Sequence, residues 1–303
     1  MTWILPGASE EAQALARERL LHGKLVSFPT ETVYGLGALA THRGAVEEVY
    51  RLKNRPLSKP LILHGATAKD LFPYAERGGG LRAVVLARIF WPGPLTLVLK
   101  RCSHTTLEES LFFPDETIAL RVVDHPVATA LLNSVGGPLV APSANLSGEL
   151  SPTTAADVAS AFLNEDLLIL DGGPTRHGLE STILDITGPQ ASLCRLGAIS
   201  QEALEGCLGE KLALSLSSTK GRSLTLKLNA IAPRAEEAFL AFGAKVPACP
   251  CVAQANLSPS GDLEEAGRNL FPLLRQLWAS SASAIAVMPI PSQGLGLVLN
   301  DRL

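Results

Sequence analysis

Apolar positions along this chain return at two different periods, and the switches between them mark out the elements. Ser9, Glu10 and Glu11 open an amphipathic run that stops at Gly23, which predicts a helix over 9–22. The short apolar run 25–28 ends at Pro29 and reads as a strand. Residues 43–53 carry Val46, Val49, Tyr50 and Lys53 at helical spacing, and 61–64 reads as the next strand. A helix over 81–90 halts at Trp91-Pro92-Gly93-Pro94, because proline removes a donor and biases the residue before it toward extended geometry. Strands at 95–100 and 118–123, a helix at 126–135 and an apolar run 139–141 leading into Pro142 follow. A helix at 154–163, strands at 167–170, 181–186 and 192–196, and a helix near 200–207 complete the first block.

Several neighbouring strands in this block have no helix between them. The pattern therefore predicts an α/β or α+β mixed sheet rather than a regular βαβ repeat. Residues 209–223 are small, polar and without period, and read as a linker. A second block restarts with strands at 224–228 and 238–242 and a long helix at 262–278. Asp262 opens that helix, with Glu264 and Glu265 in the first turn, where carboxylates favour the dipole. A strand at 284–288 and a helix-like run to Leu303 close the chain. The expected layout is a first domain over 1–208, a linker over 209–223 and a small α/β domain over 224–303.

Composition narrows the classes. The chain has 303 residues, 47% hydrophobic and 18% charged, which is ample for a sizeable core and unlike a disordered protein. A net charge of −3 argues against a protein that coats polyanions. The five cysteines are odd in number and scattered, which fits a reducing cytoplasm better than a disulfide framework. Cys249 and Cys251 form the one close pair and lack the second pair or the histidines of a zinc site. No apolar run approaches a membrane span and no signal-peptide pattern opens the chain, so the expectation is a soluble cytoplasmic protein.

Walker, dinucleotide-fingerprint, zincin and nucleophile-elbow patterns are all absent. Polar loops at strand ends take their place, the usual ligand positions of α/β sheets. Residues 29–37 (PTETVYGLG) supply hydroxyls, a carboxylate and glycines. Residues 53–60 (KNRPLSKP) place three cations between two prolines, a stiff loop that loses little entropy on gripping an anion. His64 ends an apolar strand, where a hydrogen-bonded core histidine is the commoner outcome. Arg121 interrupts an apolar strand and must be paired, with either a structural or a ligand carboxylate. The loops 141–148 (APSANLSG) and 178–182 (GLEST), and Arg195 at another strand end, complete the set. Cations, hydroxyls and one amide, with no nucleophile beside a base, suit an anion held by positioning and electrostatics, as in phosphoryl and nucleotidyl transfer.

These loops, in this order, resemble the YrdC-like family, specifically its two-domain threonylcarbamoyl-AMP synthases. The likeness is carried by residues 29–37, 53–64, 90–99 (FWPGPLTLVL), 119–126, 141–153, 171–185 (DGGPTRHGLESTILD) and 194–200, and in the second block by 239–243, 256–271 and 290–303. It implies a catalytic domain with a mixed twisted YrdC-like sheet and a smaller Rossmann-like α/β domain. It also implies a reaction in which L-threonine, bicarbonate and ATP give threonylcarbamoyl-AMP and pyrophosphate. Downstream transferase proteins then modify the adenosine beside the anticodon of tRNA, with tRNA itself a further candidate partner. By motif position, Arg55, Lys59, Thr117, Ser143, Asn145, Ser151 and Arg195 are expected to hold ATP, with Lys53 and Arg55 acting on the phosphates. Thr32, His64, Arg121, the Ala141 backbone and Ser181 are expected to hold threonine. Mg²⁺ would arrive with ATP, and no direct protein ligand to a metal is expected.

The linker of such family members resembles S-P-G-M-x-x-x-H-Y-x-P, folding back over the site. Residues 209–223 contain no Tyr, His or Pro, so that lid is not evident here. An RNA-binding module and a catalytically silent paralogue are the alternatives. The carbamoyl-transfer domain of hydrogenase maturation is disfavoured, because its zinc-finger cysteine pairs are absent.

Overall fold

A computed structural model describes residues 1–105, 107, 116–216, 225–248 and 250–303. Eleven strands form the first sheet: β1 (Trp3–Pro6), β2 (Val26–Phe28), β3 (Gly35–Leu39), β4 (Ile62–Gly65), β5 (Leu95–Lys100), β6 (Thr117–Val122), β7 (Leu139–Val140), β8 (Leu168–Asp171), β9 (Thr182–Asp185), β10 (Ser192–Arg195) and β11 (Ala213–Leu214). Their spatial order is β1-β8-β2-β3-β7-β4-β6-β5-β9-β10-β11, with parallel and antiparallel pairs mixed. Helices α1 (Glu10–Leu21), α2 (Arg43–Lys53), α3 (Ala68–Leu71), α4 (Gly80–Phe90), α5 (Pro126–Val135), α6 (Ala155–Ala161) and α7 (Gln201–Leu208) accompany the sheet. The second sheet is all parallel, in the order β12-β15-β13-β14: β12 (Leu226–Lys227), β13 (Ala238–Ala241), β14 (Ala253–Asn256) and β15 (Ile285–Val287). Its helices are α8 (Leu263–Trp278) and α9 (Leu295–Arg302). The mixed sheet beside a smaller parallel α/β unit is the architecture expected from the pattern. Among the described residues no helix is long and apolar enough to cross a membrane.

Local chemistry explains the elements that matter for the site. Ser9 caps α1 by accepting from the Ala12 N–H, and Ala12, Ala16 and Leu20 pack with Val26, Phe28, Leu168 and Leu170. His42 caps α2 through Nδ1, and the helix ends at Asn54 in the left-handed region, with φ 49°. That turn starts the 54–60 loop, which leads into the central strand β4. Asp262 caps α8 at the Glu265 N–H, and the helix buries Ala266, Leu270, Phe271, Leu274 and Leu277.

Three departures from the sequence reading fall on the first sheet. Residues 35–37, read as part of a polar loop, open strand β3. A Cβ at Gly37 would lie 2.5 Å from the Phe28 ring, so the strand needs glycine where propensity disfavours it. Residues 3–6 form a strand because β8 supplies a parallel partner, Trp3 to Leu168 through Pro6 to Asp171. Within the expected linker, Ala213 and Leu214 instead pair with Ser192 and Leu193 as an edge strand of the first sheet. Residues 217–223 of that linker, residue 224 of the strand expected after it, and Cys249 lie outside the described residues.

Candidate active site

Loops after β2, β7 and β8 and side chains from β4, β6 and β10 converge on one cavity. It is bordered by Thr30, Thr32, Val33, Tyr34, Gly35, Arg55, Ile62, His64, Arg121, Ala141, Pro142, Ser143, Glu180, Ser181 and Arg195. The 30–34 turn is set by Thr30, whose Oγ1 accepts the Thr32 and Val33 N–H groups and donates to the Val33 carbonyl at 2.7 Å. The Tyr34 hydroxyl ties this turn to the other side of the site, donating to the Gly173 carbonyl at 2.8 Å. Burial raises the Tyr34 pKa, so the phenol stays protonated.

One wall is built on β4 and β6, whose parallel register sets His64 beside Arg121. Arg121 Nη2 donates to Glu31 Oε1 at 2.8 Å and to Thr32 Oγ1 at 2.7 Å. Both ends of this ion pair are buried, with side-chain exposures of 6% and 1%. Glu31 Oε2 also accepts the Asp124 N–H at 3.0 Å. The partner that Arg121 required is thus a structural carboxylate, Glu31. Its Nε–H is buried with no acceptor, so Glu31 and Thr32 do not satisfy the whole guanidinium. His64 donates from Nδ1 to the Ile62 carbonyl at 3.0 Å. Burial, with the Arg121 charge alongside, pushes its pKa down to about 3, so the ring is neutral and offers Nε2 as an acceptor.

A second wall of the same cavity carries Arg55, Ser143, Arg195 and Glu180. Arg195 Nε donates to the Ser181 carbonyl at 2.9 Å and Nη2 to Ser181 Oγ at 2.8 Å. Ser181 Oγ lies 2.8 Å from Thr96 Oγ1. Burial lowers the Arg195 pKa to about 10, still leaving it a cation at neutral pH. Arg55 folds back on its own loop, donating to the Lys59 and Pro60 carbonyls at 2.9 and 2.8 Å, and burial lowers its pKa. Glu180 accepts Ser151 Oγ at 2.7 Å and Arg302 Nε at 2.8 Å. Burial alone would raise its pKa, but Arg302 and Arg195 outweigh that and hold it at about 2.

The sequence-predicted residues divide cleanly by position. Thr32, Arg55, His64, Arg121, Ala141, Ser143, Ser181 and Arg195 border the cavity together. Lys53, Lys59, Thr117, Asn145 and Ser151 do not border it. Lys53 is only 1% exposed, and its ammonium donates to the Ser143 and Asn145 carbonyls, both at 2.5 Å. It braces the 143–145 loop from behind instead of facing the cavity, and burial plus the nearby Arg55 lower its pKa to about 7. Lys59 is exposed at the loop tip, and Thr117 is buried at the start of β6. The Asn145 amide donates to the Leu146 and Glu149 carbonyls, and the residue borders a neighbouring cavity with Arg275 and Trp278. Sequence reasoning did not single out Glu31, Glu180, Tyr34 or Arg302. All four sit inside the quoted stretches 29–37, 171–185 and 290–303, and a search for carboxylates near the buried arginines would have found Glu31 and Glu180.

Comparison with known proteins establishes the family. A family model described as "Telomere recombination", that of the Sua5, YciO and YrdC proteins, matches residues 18–197. A second, described as "Threonylcarbamoyl-AMP synthase, C-terminal domain", matches residues 201–303. The chain belongs to the Sua5/YciO/YrdC family. It is 34% identical to the threonylcarbamoyl-AMP synthase of Pyrococcus abyssi over 93% of this chain and 89% of that one. It is 35% identical to the enzyme of that name from Bacillus subtilis, over 97% of this chain and 91% of the other. The crystal structure of Pyrococcus abyssi Sua5 complexed with L-threonine superposes with a TM-score of 0.87 at 31% identity, covering 100% of this chain and 96% of that one.

Proposed function

We propose that this chain forms threonylcarbamoyl-AMP and pyrophosphate from L-threonine, bicarbonate and ATP. The observation that carries the reading is one cavity holding both the Arg121–His64 wall and the Arg55–Arg195 wall. That cavity sits in a chain 34–35% identical, over nearly its whole length, to two threonylcarbamoyl-AMP synthases. The Arg121 guanidinium takes the threonine carboxylate, and Thr32, neutral His64, Ser181 and the Ala141 backbone surround the rest of that substrate. The threonine amine and bicarbonate form a carbamate with loss of water. A carbamate oxygen then attacks the α-phosphorus, and pyrophosphate leaves.

Arg55, Arg195 and Ser143 line the other wall and stabilise charge on the phosphates, each charge-assisted bond contributing roughly 1.5–3 kcal/mol. Lys53 acts indirectly, holding the Ser143–Asn145 backbone in place. Among the described residues no cluster of three or more His, Cys, Asp or Glu could hold a metal ion. Glu31 and Glu180 are both bonded to arginines. A Mg²⁺ ion arriving with ATP would be held through the triphosphate and would neutralise its charge. The product would pass to downstream transferase proteins that modify tRNA next to the anticodon. The deciding experiment mixes protein, ATP, bicarbonate and L-threonine and measures pyrophosphate. Threonine-dependent release is expected; release that ignores threonine, or none, overturns the reading.

A further inference from the structure

The last helix of the second domain reaches into the wall just described. Arg302, at the end of α9, lies across the domain boundary with its side chain only 6% exposed. Its Nε donates to Glu180 Oε2 at 2.8 Å, its Nη2 to the Leu196 carbonyl at 2.7 Å, and its Nη1 pairs with Asp301. Glu180 borders the cavity, and its other oxygen takes the Ser151 hydroxyl at 2.7 Å. Leu196 directly follows Arg195 in the chain. One guanidinium thus fixes both the Glu180 carboxylate and the backbone next to Arg195.

Two more contacts from α8 grip the same region. Arg275 Nη2 donates to the Leu150 and Ser151 carbonyls, so Ser151 is held at its backbone by α8 and at its hydroxyl through Glu180. Gly178 adopts φ +68° against that helix, and a Cβ there would sit 2.7 Å from both Arg268 Cα and the Gly267 carbonyl oxygen. Only glycine allows both the conformation and the approach. Immediately beyond it lie Glu180 and Ser181. The second domain therefore seats the whole 178–181 segment that enters the cavity.

We infer that Arg302 is a positioning residue for the nucleotide, acting through Glu180 on Ser151 and Arg195, so that the site is complete only with the C-terminal domain in place. The inference rests on the reading of that wall as the ATP side. With Arg302 gone, Glu180 loses its strongest partner and competes for Arg195, drawing that cation away from phosphate. A buried carboxylate stripped of one charged partner also loses a bond of the stronger, charge-assisted kind.

The test is equilibrium titration of full-length protein, separately with ATP plus Mg²⁺ and with L-threonine, for wild type, Arg302→Met and Arg302→Lys. Thermal melting monitors folding. Arg302→Met is expected to weaken ATP binding about tenfold, or about 1.4 kcal/mol, and to weaken L-threonine, which Arg195 reaches only through Ser181, clearly less. Arg302→Lys keeps the charge but not the fork and is expected to recover part of the loss. ATP affinity unchanged in a folded variant, or equal weakening of both ligands, overturns the inference. If Arg302→Met does not fold, the ratio of the two affinities in Arg302→Lys decides the same question. Wild-type protein that binds ATP in this Arg302-dependent way yet releases no pyrophosphate would remove the functional reading and leave the inference standing.

Discussion

The wall around Arg121 is held together within one domain, whereas the wall around Arg195 borrows a partner from the other. Arg121 is matched by Glu31, and both are almost fully buried among strands of the same sheet. Glu180, beside Arg195, is matched by Arg302 from the final helix of the second domain. The difference teaches where tolerance lies. A buried pair inside one core is costly to break, because the survivor is an uncompensated buried charge. A pair across a domain boundary can change with the relative seating of the domains, and so can the site it supports.

Breaking the first wall should have the largest effect. Arg121→Ala leaves Glu31 buried without its cation, at a cost of roughly 3–5 kcal/mol in stability. It should raise the KM for threonine by about a hundredfold, far more than the KM for ATP. Equal effects on both substrates, measured by steady-state pyrophosphate release, would erase the distinction between the walls.

Lys53→Met comes next. It removes donors from the Ser143 and Asn145 carbonyls, costing about 1–3 kcal/mol. ATP affinity should fall roughly tenfold while threonine affinity changes less, because the braced loop carries Ser143 to the nucleotide side. Calorimetric titration of both ligands checks this. A larger loss for threonine would move the loop to the other wall.

Acid should find the interdomain wall through Glu180. Its folded pKa of about 2 lies below its ordinary 4.5, so its contribution to stability is full above pH 4.5 and disappears as pH falls toward 2. Glu180→Gln should therefore flatten the dependence of melting temperature on pH in that window. An unchanged slope would mean that Arg302 and Glu180 are not coupled in solution.

The smallest effect is expected from His64. With its pKa near 3 it stays neutral from pH 5 to 8, so threonine affinity should show no inflection near 6.5. An inflection there that vanishes in His64→Gln would show a charged ring, and a wall less shielded than its burial implies.

Much of this was legible in the chain. Helix α2 runs from Arg43 to Lys53 as its spacing predicted, and the caps at Ser9 and Asp262 start the helices they announce. Eight of the expected site residues border one cavity because strands of one sheet, or the loops that enter and leave them, carry all eight. Lys53 was misplaced for an instructive reason. A lysine in a cationic loop reads as a phosphate ligand, yet its position on the buried face of α2 aims its ammonium at backbone carbonyls.

By itself, the sequence determined the periodic elements, the polar loops between them and the identity of the arginines and hydroxyls in those loops. Each of these is a local property, set by side-chain period, capping and proline stiffness within a few residues. Tertiary structure alone decided that glycine-rich residues 35–39 are a strand, covered by Phe28, and that Glu31 takes Arg121 from 90 residues away. It also decided that Arg302 reaches back 122 residues to Glu180. Such pairs have no local signature, because burial and charge compensation are settled only when distant strands and the second domain come together around the same cavity.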